Sequence, residues 1–257
     1  MSSAPDKKTL HEEIDNYASY LKMPTLKRDY RDAIKEANLL DTGYDEFLWS
    51  LLQKESDCRE ENAKQNRIRR AGFPYKRYLE DLKTEYLPED AQKKFKGLSS
   101  LEFITTGQNV ILAGNAGTGK THLGIGLGIK ACLAGYKVLY VTVPSLINQL
   151  KESRSAQTLR AFENKFEKYD LIIADELGYI SFDKEGSELL FSNLSLRAGR
   201  KSTLITTNLS FERWDEIFHD PVLTAAMIDR LTHKAYIVNM NGYSYRLKET
   251  SEWAEQQ

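Results

Sequence analysis

The sequence predicts an α/β protein, a five-stranded parallel sheet covered by helices and preceded by a small all-helical domain. Three observations carry this. From about residue 101 onward, short β-rich runs alternate with helical ones, the pattern of βαβ units with right-handed crossovers. The first such run, residues 109–113, leads directly into Gly114-Asn115-Ala116-Gly117-Thr118-Gly119-Lys120-Thr121 and then into an apolar helical stretch. Residues 1–62 carry helical periodicity alone.

In order, Leu10, Ile14, Tyr17 and Leu21 fall on one face of a first helix. Pro24 suits the first turn of a second, with Leu26, Tyr30, Ala33, Ile34 and Ala37 on its apolar side. After Asp41-Thr42-Gly43 a third carries Tyr44, Phe47, Leu48, Leu51 and Leu52 as a dense stripe. These stripes serve either as the core of a small bundle or as a surface for a partner, DNA or a second subunit, because so small a domain buries little by itself. Residues 63–100 form a basic linker and helical connection. In it Arg67, Arg69, Arg70, Lys76 and Arg77 surround Gly72-Phe73-Pro74-Tyr75, which suits contact with DNA or a nucleotide base, or simply a solvated helix end. Residues 101–247 form the α/β domain, with strands at 109–113, 137–142, 171–175, 202–207 and 235–240. Helices are expected at 120–134, 144–168, 187–198, 211–218 and 221–232, and 248–257 is a tail.

Composition bounds the rest. The chain has 257 residues, 41% of them apolar, enough for a packed core. With 36 Lys+Arg against 37 Asp+Glu, any nucleic-acid partner must be read from local clusters. Two cysteines and four histidines without metal-ligand spacing exclude a disulfide framework and a zinc knuckle. Without an apolar leader or a run of about 18 apolar residues, a soluble cytoplasmic protein is expected.

Residues 114–121 have the spacing G-x-x-x-x-G-K-[ST], the phosphate-binding P-loop. Its glycines let backbone N–H groups turn inward on phosphate oxygens. Lys120 reaches the β- and γ-phosphates, the Thr121 hydroxyl ligates Mg²⁺, and the following helix adds its positive end. Asp175-Glu176 closes the third strand. Strand carboxyl ends line the ligand crevice of a parallel sheet, so Asp175 is set to hold the Mg²⁺ shell and Glu176 to orient or deprotonate water. Asn208, after Thr206-Thr207 on the next strand end, is placed to position that water. Arg230 suits an arginine finger supplied by a neighbouring subunit, or a local ion pair with Asp229.

These residues resemble a family. The P-loop, Leu171-Ile-Ile-Ala-Asp-Glu-Leu-Gly-Tyr179, Thr206-Thr-Asn-Leu-Ser-Phe-Glu-Arg-Trp214 and the closing run from Asp229 to Arg246 look like IstB, the transposition-helper ATPases of bacterial insertion sequences, similar to the helicase loader DnaC and the initiator DnaA. The resemblance implies an AAA+ three-layer sandwich with sheet order 5-1-4-3-2, ATP and Mg²⁺ as cofactors, and ATP-dependent oligomerisation on duplex DNA. It also implies a transposase of the IstA type as partner. By the same resemblance Asp175 and Glu176 match the Walker B pair, Asn208 sensor 1 and Arg230 the arginine finger. Residues 144–168 look like the initiator-specific element that faces DNA, so Lys151, Arg154, Arg160 and Lys165 are the expected phosphate contacts. With little chain after Met240, the helical lid and its second sensor arginine are expected to be missing. A DnaC-like helicase loader and an ATP switch without turnover are the rival functions.

Overall fold

The computed structural model describes residues 6–254, so the ends of the 1–62 and 248–257 segments lie outside the described residues. It divides into two compact units, one ending at Asn66 and the other beginning at Arg67.

The first unit holds helices α1 (Lys7–Tyr20) and α2 (Pro24–Leu40) and most of α3 (Tyr44–Ala71). Its centre is small: Ala18, Tyr30 and Leu51 are buried, and the Tyr30 hydroxyl donates to the His11 carbonyl at 3.2 Å. Of the dense stripe on α3 only Leu51 is buried, while Tyr44, Leu48 and Leu52 stand in solvent. Met23 precedes α2 and has no side-chain acceptor for its first N–H groups. The buried Glu55 carboxylate on α3 supplies one, accepting from Thr25 N–H at 2.8 Å and Leu26 N–H at 3.0 Å. A single α3 runs from Tyr44 to Ala71, through residues 62 and 63, where the sequence places a boundary; Asp45 and Glu46 in its first turn and Arg69 and Arg70 in its last suit the dipole at each end.

After the last residues of α3, the second unit has two 3-10 turns, Leu79–Asp81 and Thr84–Tyr86, followed by α4 (Glu89–Ser99) and α5 (Glu102–Thr105). Next come β1 (Val110–Ala113), α6 (Lys120–Leu133), β2 (Val138–Thr142), α7 (Val143–Ser155) and α8 (Leu159–Phe166). The remainder is β3 (Leu171–Leu177), α9 (Lys184–Arg197), β4 (Ser202–Thr207), α10 (Asp215–Phe218), α11 (Pro221–Thr232), β5 (Tyr236–Asn239) and α12 (Tyr245–Ala254). The strands form one sheet in the order β2-β3-β4-β1-β5, parallel at every pairing. This is the expected 5-1-4-3-2 order read from the other edge.

The three layers follow from strand alternation. Val110 and Leu112 of β1 and Ile173 of β3 face a core with Leu123, Leu127 and Leu98. Ile111, Ile172 and Ala174 face the opposite core with Leu146, Leu150, Leu190 and Trp214. Asn109 locks the central strands: its Oδ1 accepts from Thr203 N–H at 3.0 Å and its Nδ2 donates to the Leu231 carbonyl at 3.2 Å.

Three expectations change. Residues 144–168 do not form one helical run: α7 ends at Ser155, Gln157 takes a left-handed conformation, and Thr158 N–H bonds back to the Ser153 carbonyl. The two halves also differ in setting, since α7 buries Leu146, Ile147 and Leu150 as part of the sandwich. Strand β3 does not end at Asp175; it continues to Leu177 after a register shift following Ala174. Finally, the closing segment is not all tail, because α12 begins at Tyr245.

Replacing Glu55 by Ala leaves two N–H groups at the start of α2 without their acceptor. The loss of stability should be about 1–3 kcal/mol, read as a lowered denaturant midpoint with the nucleotide-binding behaviour of the second unit unchanged.

Candidate functional site

Strand β1 delivers the chain into the loop, and the loop is held by its surroundings on three sides. Gly114 N–H donates to the Thr207 carbonyl at 3.1 Å, and Met240 N–H to the Ala113 carbonyl at 2.7 Å. Asn115 N–H donates to Asn241 Oδ1 at 3.1 Å, and Tyr245 N–H to the Gly117 carbonyl at 3.0 Å. Two glycines are required here by close approach. A Cβ on Gly114 would lie 2.2 Å from the Met240 carbonyl carbon, and one on Gly117, at φ +79°, 2.1 Å from Ser244 Oγ.

Within the loop, Thr118 Oγ1 donates to the Asn115 carbonyl at 2.9 Å. The Lys120 ammonium is turned onto the loop itself, 2.7 Å from the Gly114 carbonyl and 2.5 Å from that of Asn115. Burial lowers the Lys120 pKa to about 8; the Asp175 carboxylate opposes this, and Arg246 adds to it. An anionic ligand in the loop would reverse the balance, since opposite charge favours the ammonium.

The loop forms one wall of a cavity of about 670 Å³, within the range of small-molecule and cofactor sites. Residues 116–121 line it, with Glu176 from β3, Thr206 and Thr207 from β4, and Asn208 just after β4. Asp175 sits behind that wall, 1% exposed. Its Oδ1 accepts from the Thr121 hydroxyl at 3.2 Å and from the Thr206 hydroxyl, and its Oδ2 from the Tyr140 hydroxyl at 2.6 Å. Glu176 is exposed and takes φ 66°, with its N–H on Thr206 Oγ1 at 3.0 Å. Buried acid and exposed acid thus sit side by side, each directed to a different environment.

The structure brings residues 116–121, Thr121, Glu176 and Asn208 to one cavity and Asp175 to its wall. It does not bring Arg230 there: the guanidinium is exposed and stacks over the Phe191 ring at 4.6 Å, not on Asp229. The expected DNA contacts also divide. Lys151 bonds Asp183 at 2.6 Å and Arg154 pairs with Glu185 at 3.3 Å, both at the start of α9. Arg160 and Lys165 are exposed and make no ion pair among the described residues.

Tyr75 and Arg77 of the basic, aromatic stretch also line the cavity. Tyr86, His122, Tyr245 and Arg246 line it as well and were not singled out for the site by the sequence analysis. Tyr86 and Tyr245 contact each other with ring centroids 5.3 Å apart. Burial lowers the His122 pKa. Arg246 lay in plain view at the end of the closing run; only the β5-to-α12 turn, which depends on Gly114 and Gly117 being bare, carries it back to the loop.

A parallel β2-β3-β4-β1-β5 sheet with a P-loop between β1 and α6 and an acidic pair on β3 defines a P-loop protein of the AAA+ class. The family profile for the IstB-like ATP binding protein matches residues 16–253, and the chain belongs to that family. It is 35% identical over 237 residues to the insertion sequence IS21 putative ATP-binding protein of Pseudomonas aeruginosa, covering 92% of this chain and 89% of that one. It is 32% identical over 248 residues to the insertion sequence IS5376 putative ATP-binding protein of Geobacillus stearothermophilus, covering 96% and 99%. Among solved structures, the AMPPCP-bound DnaA from Aquifex aeolicus is similar in fold, with a TM-score of 0.55 and 20% identity over 72% of this chain and 56% of that chain.

Gly117→Ala should weaken binding of a fluorescent ATP analogue by at least about tenfold, because it adds both a clash with Ser244 and left-handed strain. Pairing it with Ser244→Gly removes the clash alone, so recovery should be partial, with about 1 kcal/mol of strain remaining. Wild-type affinity in the single variant would show that Ser244 does not pack on the loop.

Proposed function

We propose that this chain is an ATP-hydrolysing transposition helper: ATP binds between subunits, favours an oligomer on duplex DNA with little regard to sequence, and lets that oligomer recruit or activate a transposase. Membership of the IstB-like family and relatives named for insertion sequences support the transposition setting over a helicase loader. The hydrolytic part is carried by one observation, that Glu176 lines the same cavity as Lys120 and Thr121.

The geometry supports the following roles. Lys120 exchanges its two loop carbonyls for β- and γ-phosphate oxygens, and the N–H groups of residues 116–121 take the remaining phosphate charge. The Thr121 hydroxyl and Asp175 carboxylate form a pair of hard oxygen donors suited to Mg²⁺. Thr121 and Asp175 would hold such an ion, which would supply positive charge against the transferring phosphoryl group. Glu176, exposed to the cavity, accepts the proton of the attacking water, and Asn208 orients that water. Arg230 lies outside its own cavity and serves the site of a neighbouring copy. Tyr75, Tyr86, His122 and Tyr245 offer aromatic surface for the base and ribose, and Arg246 a second cation near the phosphates. Arg160 and Lys165 are the DNA contacts of choice, because Lys151 and Arg154 are already engaged by acids.

Co-sedimentation with duplex DNA tests the reading. Wild type should pellet with DNA when ATP is present, and Lys120→Ala should not; assembly indifferent to that substitution would overturn it. Glu176→Gln should still bind ATP and DNA while turnover falls by about 10²–10⁴-fold; equal rates would remove Glu176 from the chemistry.

A shared site makes a further prediction. Glu176→Gln and Arg230→Ala should each be nearly inactive, yet mixing them should restore turnover, with about a quarter of randomly mixed head-to-tail interfaces holding both intact groups. A mixture no faster than its components means that Arg230 does not act across an interface.

A further inference from the structure

Tyr140 lies in the middle of β2, the strand at one edge of the sheet, opposite Ile173 in register. Its hydroxyl nonetheless reaches Asp175, two residues farther along β3, and donates to Oδ2 at 2.6 Å. The same carboxylate already receives the Thr121 and Thr206 hydroxyls on Oδ1. Its two oxygens are therefore differently employed, one toward the P-loop threonine and one closed off by the phenol.

The ring is supported from outside the sheet. Phe73, in the linker that opens the second unit, packs on it with centroids 6.0 Å apart and planes at 53°. Phe73 fits there because residue 128 on α6 is glycine: a Cβ at that position would lie 2.8 Å from the Phe73 ring. A tyrosine that only filled this space could be phenylalanine. Here the hydroxyl is aimed at a buried carboxylate, where a charge-assisted bond is worth more than at the surface.

We propose that Tyr140 is a positioning residue for the magnesium–nucleotide complex: by occupying Asp175 Oδ2 it fixes the carboxylate so that Oδ1 faces Thr121, with Phe73 holding the phenol in place. The inference rests on the ATP reading above and adds to it a residue outside the P-loop and the acidic pair. It also gives the linker a route to that carboxylate, through two tilted rings in contact and one hydrogen bond.

The test is nucleotide affinity measured as Mg²⁺ is titrated, which separates metal-dependent from metal-independent binding without any turnover. The full chain is compared with Tyr140→Phe, Phe73→Leu and Lys120→Ala, using a fluorescent ATP analogue. In Tyr140→Phe, affinity without Mg²⁺ should stay within about twofold of wild type, while the half-saturating Mg²⁺ concentration rises about tenfold, the loss expected for one hydrogen bond to a charged group. Phe73→Leu keeps the hydroxyl and loosens its support, and should raise that concentration about threefold. Lys120→Ala should lose affinity at every Mg²⁺ concentration. If wild type binds no nucleotide, the ATP reading falls and this inference with it. If wild type binds, Lys120→Ala is impaired, and Tyr140→Phe follows the wild-type Mg²⁺ curve, this inference alone is overturned. Should thermal melting show that Tyr140→Phe does not fold, the Phe73→Leu curve decides, and coincidence with wild type overturns the proposal.

Discussion

The buried carboxylate of Asp175 is the constraint around which the second unit is arranged. A charge taken out of water is tolerated only when its lone pairs are met by donors. Here three hydroxyls do so, and they come from three different elements: Thr121 on α6, Tyr140 on β2 and Thr206 on β4. Satisfying one side chain therefore fixes the positions of two strands and a helix relative to β3. Thr206 extends the effect, because its oxygen also receives the Glu176 N–H. That bond holds Glu176 at its left-handed φ and turns the next carboxylate away from the core, toward the cavity. One strand end thus yields a dry acid and a wet acid in succession, without any loop between them.

The P-loop obeys a related rule. Its lysine does not wait unpaired; it is satisfied by the Gly114 and Asn115 carbonyls, so filling the site is an exchange of partners. Such an exchange leaves the loop's own scaffold in place, because the scaffold is held by other bonds: Asn241 to Asn115, Tyr245 to Gly117 and Thr207 to Gly114. Two of those three come from the chain after β5. The segment after β5 therefore braces the loop, and it brings Arg246 near enough to Lys120 to lower its pKa.

Much of this was legible in the sequence, and the parts that were not have a physical reason. The P-loop flanked by a β-rich run and a helix needs only local spacing, and the apolar run 171–174 marks a strand covered on both faces. Strand order came from family resemblance, since periodicity says nothing about which strands are neighbours. The extension of β3 through Glu176 depends on a hydroxyl of β4 and is invisible to local pattern. The break in 144–168 was missed because Ser155-Ala-Gln-Thr158 contains neither Gly nor Pro, and Gln157 adopts a conformation that L-residues enter uncommonly. The roles of Tyr140 and Arg246 rest on contacts across long stretches of chain, which one sequence cannot supply.

The charged residues outside the cavity illustrate the same limit. Lys151, Arg154, Arg160 and Lys165 read alike along the chain, as a basic helical face. In space the first two meet Asp183 and Glu185 at the N-terminus of α9, where the carboxylates also suit the helix dipole and Asp183 caps Gly186. Those two cations link α7 to α9 through ion pairs at the surface. Arg230 has the opposite character. Stacked on Phe191 it keeps its guanidinium exposed, and a planar cation resting on a ring retains its N–H donors for another partner. An arginine that had found a carboxylate within its own chain would have to break that pair before serving a neighbour. One held by an aromatic face gives up much less, which supports the role proposed for Arg230 at a neighbouring copy's site.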